Sequence, residues 1–315
     1  MKWSNISLRR SQGAPLRVTL SGDCDMEAAI PMLVQHADQI KDLELKPLHH
    51  RILSPLFYCS FPLLASLTTA SRRRILSFAQ FLDTLGHGQQ LRLLHLHHFL
   101  SAALSTQASI PHGRLVTLPK FHTLHCRDVP VLISHLISHL HSPDDAHYLL
   151  IGELRDADDD PSTSFAALLP QDLARRPFMR SIQSAYLSVG DTINELYWGV
   201  PSGAFGLLAL HRAASWDGWL ERGLRQLPAL FSLDTTQLTS LTVCGDVNTA
   251  SPDAWDLVFN SFPALETLIL DVKEGGAFPT VITRSLSAPP SGEEEASCRI
   301  SLHAFKRAPQ AERGS

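Results

Sequence analysis

Cysteine is too scarce and too scattered in this chain to form a disulfide framework. The five cysteines are Cys24, Cys59, Cys126, Cys244 and Cys298, an odd number with no pair in Cys-x-x-Cys spacing. Neither disulfide bonds nor a zinc knuckle is therefore indicated. We expect buried, reduced thiols in an intracellular protein.

Long apolar runs and a basic charge balance are also lacking. No run reaches the ~18 apolar residues that a membrane span needs, and the first residues do not read as a secretory signal. The formal net charge is -4 and aromatic residues make up only 7% of the chain, which disfavours nucleic acid and anionic membranes as partners. We expect a soluble protein of the cytoplasm or nucleus.

Catalytic motifs are lacking as well. Gly86-His87-Gly88 is too short for a phosphate-binding loop and carries no Lys-Ser/Thr. The alternating Asp156, Asp158 and Asp160 lack the glycine and the closing glutamate of a calcium loop, and no Gly-x-Ser-x-Gly segment is present. We predict no catalytic residue, no cofactor and no metal ligand, and therefore a protein that is not an enzyme.

What the chain does contain is a short repeated pattern, apolar-x-x-apolar-x-apolar, on a background of 44% hydrophobic residues. Successive copies are about 24–30 residues apart, close to the range of leucine-rich repeats. The copies begin at Ile40, Phe61, Leu91, Phe121, Leu238 and Phe262, with weaker ones at Ala146 and Leu207.

Each copy reads as a short strand with one buried face. Leu268 and Leu270 are expected to point inward, and Thr267, Ile269 and Asp271 outward, because alternate residues of a strand share a face. One unit cannot bury such a face alone, but stacked units can.

Between the strands the apolar residues recur at helical spacing. Such stripes run over 28–37, over 132–140 with Pro143 closing the run, and from Ser251-Pro252-Asp253 through Leu257, Val258 and Phe262. The fold class predicted is α/β, an irregular leucine-rich-repeat solenoid with a curved parallel sheet on one side and helices on the other.

The chain divides into three parts. Residues 1–24 form an N-terminal flank that contains the first strand, 25–283 the repeats, and 284–315 a polar, largely disordered tail with one short strand within 297–305. An acidic loop is expected at 156–160, and 163–235 is the least regular region, for which a broken repeat is one interpretation and the number of repeats stays open.

Three segments carry a resemblance to a known family. They are Trp3 with Leu8-Arg9-Arg10-Ser11 and Ala14-Pro15-Leu16, then 36–45, then Phe61-Pro62-Leu63-Leu64-Ala65-Ser66-Leu67. The chain resembles the repeat region of fungal F-box proteins, especially those of basidiomycetes, in which such an N-terminal segment joins the F-box to the repeats. The resemblance implies the substrate-binding part of an SCF-type ubiquitin ligase receptor.

The chain departs from this family in two ways. The F-box of such proteins lies before the segment that matches Trp3, so a Skp-type adaptor is expected as a partner only if an F-box exists upstream. Leu169-Pro170-Gln171-Asp172-Leu173 is no substitute, because the downstream segment of an F-box is missing. No Asn or Cys regularly follows the Leu-x-Leu, which implies an irregular solenoid.

The 16 histidines are the most abundant chemically active side chains. His95 and His97 are expected to face outward on one strand, with His125 and Arg127 on the next. Three interpretations remain open: tolerated surface positions, a proton-sensitive or anion-binding patch, and a zinc site. His135 and His139 read as a pair on a helix surface, and Tyr197-Trp198 as buried packing or an interface anchor.

The leading functional hypothesis is a protein-interaction module that binds a protein target through outward strand positions. The residues expected to contact the partner are Asp42, Glu44, His95, His97, His125, Arg127, Thr242 and Asp271. The alternative is a structural scaffold or truncated repeat protein without a ubiquitin role. A third reading is a metal-dependent hydrolase that uses the histidines.

Overall fold

A computed structural model of the chain describes the parts of the sequence that build one large sheet and its helices. The described residues are 14–20, 26–46, 54–57, 59–70, 77–103, 114–154, 164–172, 179, 182–201, 203–212, 218–231, 238–272 and 299–300. The expected acidic loop at 156–160 and most of the flank and tail lie outside them.

Fourteen strands are found in the described residues. They are β1 (Leu16–Leu20), β2 (Ile40–Leu45), β3 (Ser66–Ala70), β4 (Leu93–His97), β5 (Val116–Thr117), β6 (Thr123–Asp128), β7 (Leu140–His141), β8 (His147–Glu153), β9 (Ser184–Val189), β10 (Ile193–Gly199), β11 (Phe205–His211), β12 (Ser240–Gly245), β13 (Thr267–Val272) and β14 (Arg299–Ile300). The strand expected within 297–305 is confirmed for these last two residues, which pair with β13.

Twelve of these strands form a single sheet in the order β1-β2-β3-β4-β6-β8-β11-β10-β9-β12-β13-β14, and β5 pairs only with β7. All neighbouring pairs in the large sheet are parallel except the two that involve β10. The sheet is therefore mixed but mostly parallel, and the prediction of an α/β protein is confirmed.

Seven α-helices lie between the strands in the described residues. They are α1 (Met26–Gln35), α2 (Ser54–Phe57), α3 (Phe78–His87), α4 (Leu100–Ala103), α5 (Pro130–Ser138), α6 (Trp219–Phe231) and α7 (Pro252–Ser261); 3-10 turns lie at Ala37–Gln39, Phe165–Leu168 and Val247–Thr249. In none of the described helices is the apolar stretch long enough to reach across a membrane.

The recurrent leucines occupy one row across the sheet. Leu43, Leu94, Leu124, Leu241 and Leu268 are connected through in-register neighbours on the intervening strands, and each is at most 3% exposed. The predicted alternation of inward and outward residues is thus confirmed, and the row forms the centre of the core.

The helices pack on this inward face. A Cβ on Gly223 of α6 would lie 3.2 Å from the Leu187 side chain of β9, and one on Gly152 of β8 would lie 2.8 Å from the Pro130 ring of α5. Gly152 and Leu187 belong to the same side of their strands as the buried leucines. The opposite face carries the half-exposed side chains.

Three details of the prediction are wrong. The sheet is not parallel throughout, as was predicted, because 182–212 is an antiparallel meander of β9, β10 and β11 within it; strands that are consecutive in the chain usually lie side by side. The helix expected over 132–140 ends at Ser138, and Leu140 starts β7. Leu257 is 37% exposed rather than on the buried face of α7.

Candidate functional site

Four of the predicted contact residues meet on β4 and β6. The two strands are parallel, and their register places His95 beside His125 and His97 beside Arg127. The rings of His95 and His125 stack with centroids 4.1 Å apart and planes 12° apart. Because all four residues occupy outward positions, they form one patch, which we call the histidine patch.

Two further residues, His98 and Glu153, border the histidine patch. Arg127 donates from Nε to Oε1 of Glu153 at 2.6 Å, and its second nitrogen lies 2.6 Å from the same oxygen. The other carboxylate oxygen, Oε2, lies 3.3 Å from Nε2 of His98. The rings of His97 and His98 are 4.3 Å apart, so Glu153 closes the patch at the carboxyl ends of the strands.

The backbone holds His98 in an unusual conformation. Its φ is 52°, a left-handed value that is uncommon for a residue other than glycine. Its N–H donates to the carbonyl of Arg127 at 2.8 Å, and the buried Asp128 accepts from the N–H groups of Leu100 at 2.7 Å and Ser101 at 3.2 Å. These bonds fix the turn from β4 into α4, and with it the His98 ring.

Burial and neighbouring charge disfavour protonation of the histidine patch. Burial, together with charge repulsion from His95, His97 and Arg127, lowers the pKa of His125 to about 4. Burial also lowers the pKa of His95, and burial followed by repulsion from His98 and Arg127 lowers that of His97. Near neutrality these three rings are therefore mainly uncharged.

Acidification should consequently destabilise the fold through His125. The unfolded chain binds a proton at this side chain near pH 6.5 and the folded chain only near pH 4, so the free energy of unfolding falls as the pH drops through this window. We expect a loss on the order of 1 kcal/mol, because the ring is partly exposed and solvent screens the repulsion. Urea denaturation at several pH values measures it.

The His125→Gln variant should lose this part of the pH dependence. His87→Gln, on the exposed end of α3, is the matched control for the removal of a histidine. Equal slopes of stability against pH in the unmodified and His125→Gln proteins would contradict the assignment.

The other predicted contact residues lie elsewhere on the same face. Asp42 is 3.9 Å from Arg17 and Glu44 is 3.8 Å from Lys46, while Thr19 donates to Glu44 at 3.0 Å. These carboxylates are half-exposed and already have partners near the β1 edge of the sheet.

At the opposite side of the face, Thr242 and Asp271 lie on the adjacent strands β12 and β13. Asp271 is in register with Cys244. Burial raises the pKa of the Cys244 thiol, and the Asp271 carboxylate adds to that shift, so this cysteine is a poor nucleophile near neutrality.

An apolar stretch separates the two groups of polar residues. Outward positions on β8, β11 and β10 are occupied by Leu149, Leu207 and Tyr197, which lie side by side in register. Tyr197 is 37% and Phe205 47% exposed, and the Phe205 ring stacks on His147 with centroids 4.4 Å apart. We call Leu149, Leu207, Tyr197 and Phe205 the apolar centre of the face.

The eight predicted residues therefore share a face but do not form one site. Nine strand steps separate β2 from β13, which corresponds to roughly 43 Å along the sheet. Only His95, His97, His125 and Arg127 are brought together, because β4 and β6 are neighbours.

Sequence reasoning missed His98 and Glu153. Glu153 occupies the next outward position after Ile151 on β8, and extending the alternation of that strand by two residues would have found it. Nothing in the sequence indicates the backbone turn that returns His98 to the patch.

Two aromatic features also differ from expectation. The His135–His139 pair is only partly on the surface: both rings contact Phe78, at 5.1 and 5.6 Å, but His135 is half-buried and His139 is buried. For Tyr197-Trp198, buried packing is confirmed for Trp198, whereas Tyr197 is exposed on the outward face and its role as an interface anchor stays a prediction.

Comparison of the chain with protein-family models, with curated proteins and with solved structures finds no match.

Proposed function

We propose that this chain is a protein-interaction module that binds a partner protein through the outward face of its sheet. The observation that carries the proposal is the apolar centre, where Tyr197 and Phe205 are exposed in the middle of the outward face between two groups of polar side chains. Its function would be similar to that of the substrate-binding repeats of F-box receptors.

The architecture proposed is an irregular solenoid of the leucine-rich-repeat type. Six strands, β1, β2, β3, β4, β6 and β8, are neighbours in the order of the chain, as expected when each unit packs only against the next. The antiparallel meander interrupts this order, and β12 and β13 resume it. The repeated leucines in one buried row support this interpretation.

The composition of the face favours a protein as the occupant. Protein interfaces concentrate aromatic side chains at a desolvated centre and place polar side chains around it. Here Tyr197 and Phe205 lie at the centre, with the histidine patch on one side and Thr242 and Asp271 on the other. The partner is expected to place apolar or aromatic side chains against Tyr197 and Phe205.

The test substitutes exposed side chains of the apolar centre and compares the loss of binding with that of a variant changed on the helices. A tagged chain and a chain with Tyr197→Ser and Phe205→Ser are used to capture partners, and the affinity of each purified candidate is measured for both proteins. We expect the double variant to bind at least about 30-fold more weakly, the effect of removing one interface hot spot.

The matched control is Val131→Ser with Leu257→Ser. These side chains are 64% and 37% exposed but belong to α5 and α7 rather than to the sheet. A partner whose affinity falls only in the Tyr197/Phe205 variant supports the proposal. A partner that binds both variants with equal affinity contradicts the proposal. A partner whose affinity falls only in the control variant contradicts it as well.

A role in ubiquitin ligation is a separate part of the proposal, and the family resemblance supports it. It requires the protein to form a complex with a Skp-type adaptor. Co-purification of the protein with that adaptor, in a stoichiometric complex, is the expected result. A chain that binds its partner but never the adaptor would instead be an interaction scaffold.

A further inference from the structure

We propose that His97, His98 and Glu153 form a binding site for a divalent transition-metal ion, with zinc as the metal that best matches their donor atoms. One ligand atom from each residue lies within 4.8 Å of the other two. All three residues are half-exposed on the outward face, so an ion and a water molecule can reach them.

The separation between two of the three ligand atoms matches the separation expected around a bound zinc ion. Zinc binds histidine nitrogen and carboxylate oxygen at about 2.0–2.2 Å, and tetrahedral ligands are then about 3.3–3.6 Å apart. Nε2 of His98 and Oε2 of Glu153 already lie 3.3 Å apart. A ring nitrogen of His97 lies within 4.8 Å of both atoms, so His97 has to come closer to complete the set.

Arg127 occupies the position of an outer-sphere residue. Its Nε and Nη2 both contact Oε1 of Glu153, which leaves Oε2 directed at His98. Partners that fix a ligating carboxylate in this way are typical of metal sites, because they orient the ligand before the ion binds.

The backbone conformation of His98 is a second, independent observation. A φ of 52° costs free energy for a residue with a Cβ, and such residues cluster at binding and catalytic sites. Here the conformation turns the His98 ring back toward Glu153, whereas a continued strand would have carried it to the inward face.

Two histidines and one carboxylate suit zinc and several other divalent first-row metals, among which Cu²⁺ generally binds most tightly. Three protein ligands leave one position for water or for a side chain of another molecule. The site does not depend on the proposed protein-binding function, although it lies on the same face.

The competing explanation is a simple ion pair between protonated His98 and Glu153. Titration of the full chain with Zn²⁺ alone, after treatment with a chelator, distinguishes the two. We expect about one zinc ion per chain by elemental analysis, and nitrogen and oxygen ligands by X-ray absorption. An ion pair predicts no stoichiometric zinc, and that result overturns the proposal.

Three variants locate the ion. His97→Ala, His98→Asn and Glu153→Gln should each weaken zinc binding at least tenfold, since even outer-sphere changes cost about 10–100-fold. Asparagine tolerates the left-handed backbone at 98, and glutamine keeps an acceptor for Arg127, so each variant should fold. Circular dichroism and urea denaturation without zinc verify folding.

His122→Ala is the matched control. His122 and His147 also form a close ring pair, 4.6 Å between centroids, but they are not part of the three-ligand cluster among the described residues. Unchanged zinc affinity in this variant supports the proposal. If His122→Ala weakens binding as much as His97→Ala, the ion is bound by surface histidines in general and the proposed site is wrong.

Discussion

Replacing Leu94 with alanine is expected to lower the free energy of unfolding by about 3–5 kcal/mol, the upper part of the range for a buried leucine. Leu94 is 0% exposed and lies between Leu67 and Leu124 in the buried row. The side chains around it belong to three strands, so they cannot close the cavity without shifting the sheet. Equilibrium urea denaturation measures the loss.

The adjacent residue provides the control. Leu93 lies on the same strand with its side chain on the outward face, and it is 36% exposed. Leu93→Ala removes the same atoms and should cost less than about 1 kcal/mol, because little apolar surface returns to water. Similar losses for Leu93→Ala and Leu94→Ala would mean that the inward and outward faces are assigned wrongly.

Replacing Gly206 with alanine is expected to destabilise the protein by about 3 kcal/mol or more, as overpacking of a tight core does. A Cβ at this position would lie 1.9 Å from the Trp198 ring. Trp198 is directly opposite Gly206 in the antiparallel pair of β10 and β11 and is 4% exposed. Either the indole ring or the strand must move.

Gly86→Ala is the matched control, since no atom lies within 4 Å of a Cβ at that position. Gly86 is in helix α3, where alanine should stabilise the protein by roughly 0.5–1 kcal/mol. Trp198→Leu in the Gly206→Ala background should recover part of the loss, which a double-mutant cycle measures. No coupling between the two positions would contradict the contact.

The Gly206 contact also bears on the proposed binding face. Tyr197 and Phe205 flank Trp198 and Gly206 in the sequence, and their side chains lie on the opposite side of the same two strands. Tight packing of the indole ring under Gly206 therefore holds the apolar centre in place. A variant that displaces the ring should weaken partner binding as well as stability.

Much of the strand arrangement was predictable from spacing alone. The copies starting at Ile40, Leu91, Phe121, Leu238 and Phe262 each lead into a strand of the large sheet. Alternation of apolar and polar residues determines which side chains are buried, because the period of a strand is two.

The meander could not be predicted in the same way. Strands β9 and β10 carry no copy of the repeat, and the short turn between them at 190–192 forces antiparallel pairing. Residues 207–210 do match the repeat weakly, and β11 pairs in parallel with β8 on one side and antiparallel with β10 on the other. Which strand inserts next to β8 depends on contacts between distant segments.

In the candidate site, too, some residues were predictable from the sequence and others were not. His95, His97, His125 and Arg127 are neighbours because two consecutive repeats are adjacent in the sheet, and the sequence predicts that. Glu153 enters through β8, the next strand, and His98 through a left-handed backbone residue after β4. Extending the alternation of β8 indicates Glu153, but a strand pattern gives no signal for the return of His98.

In the repeat strands, the amino-acid sequence by itself determined which side chains face the core and which face outward, since this follows from the local period of each strand and from the burial of leucine. Only the tertiary structure decided the order of the strands around the meander, the exposure of Tyr197 and Phe205 at the centre of one face, and the meeting of His97, His98 and Glu153. These depend on pairing between segments tens of residues apart, where many pairings satisfy the same local pattern and only the packing of the whole sheet selects one.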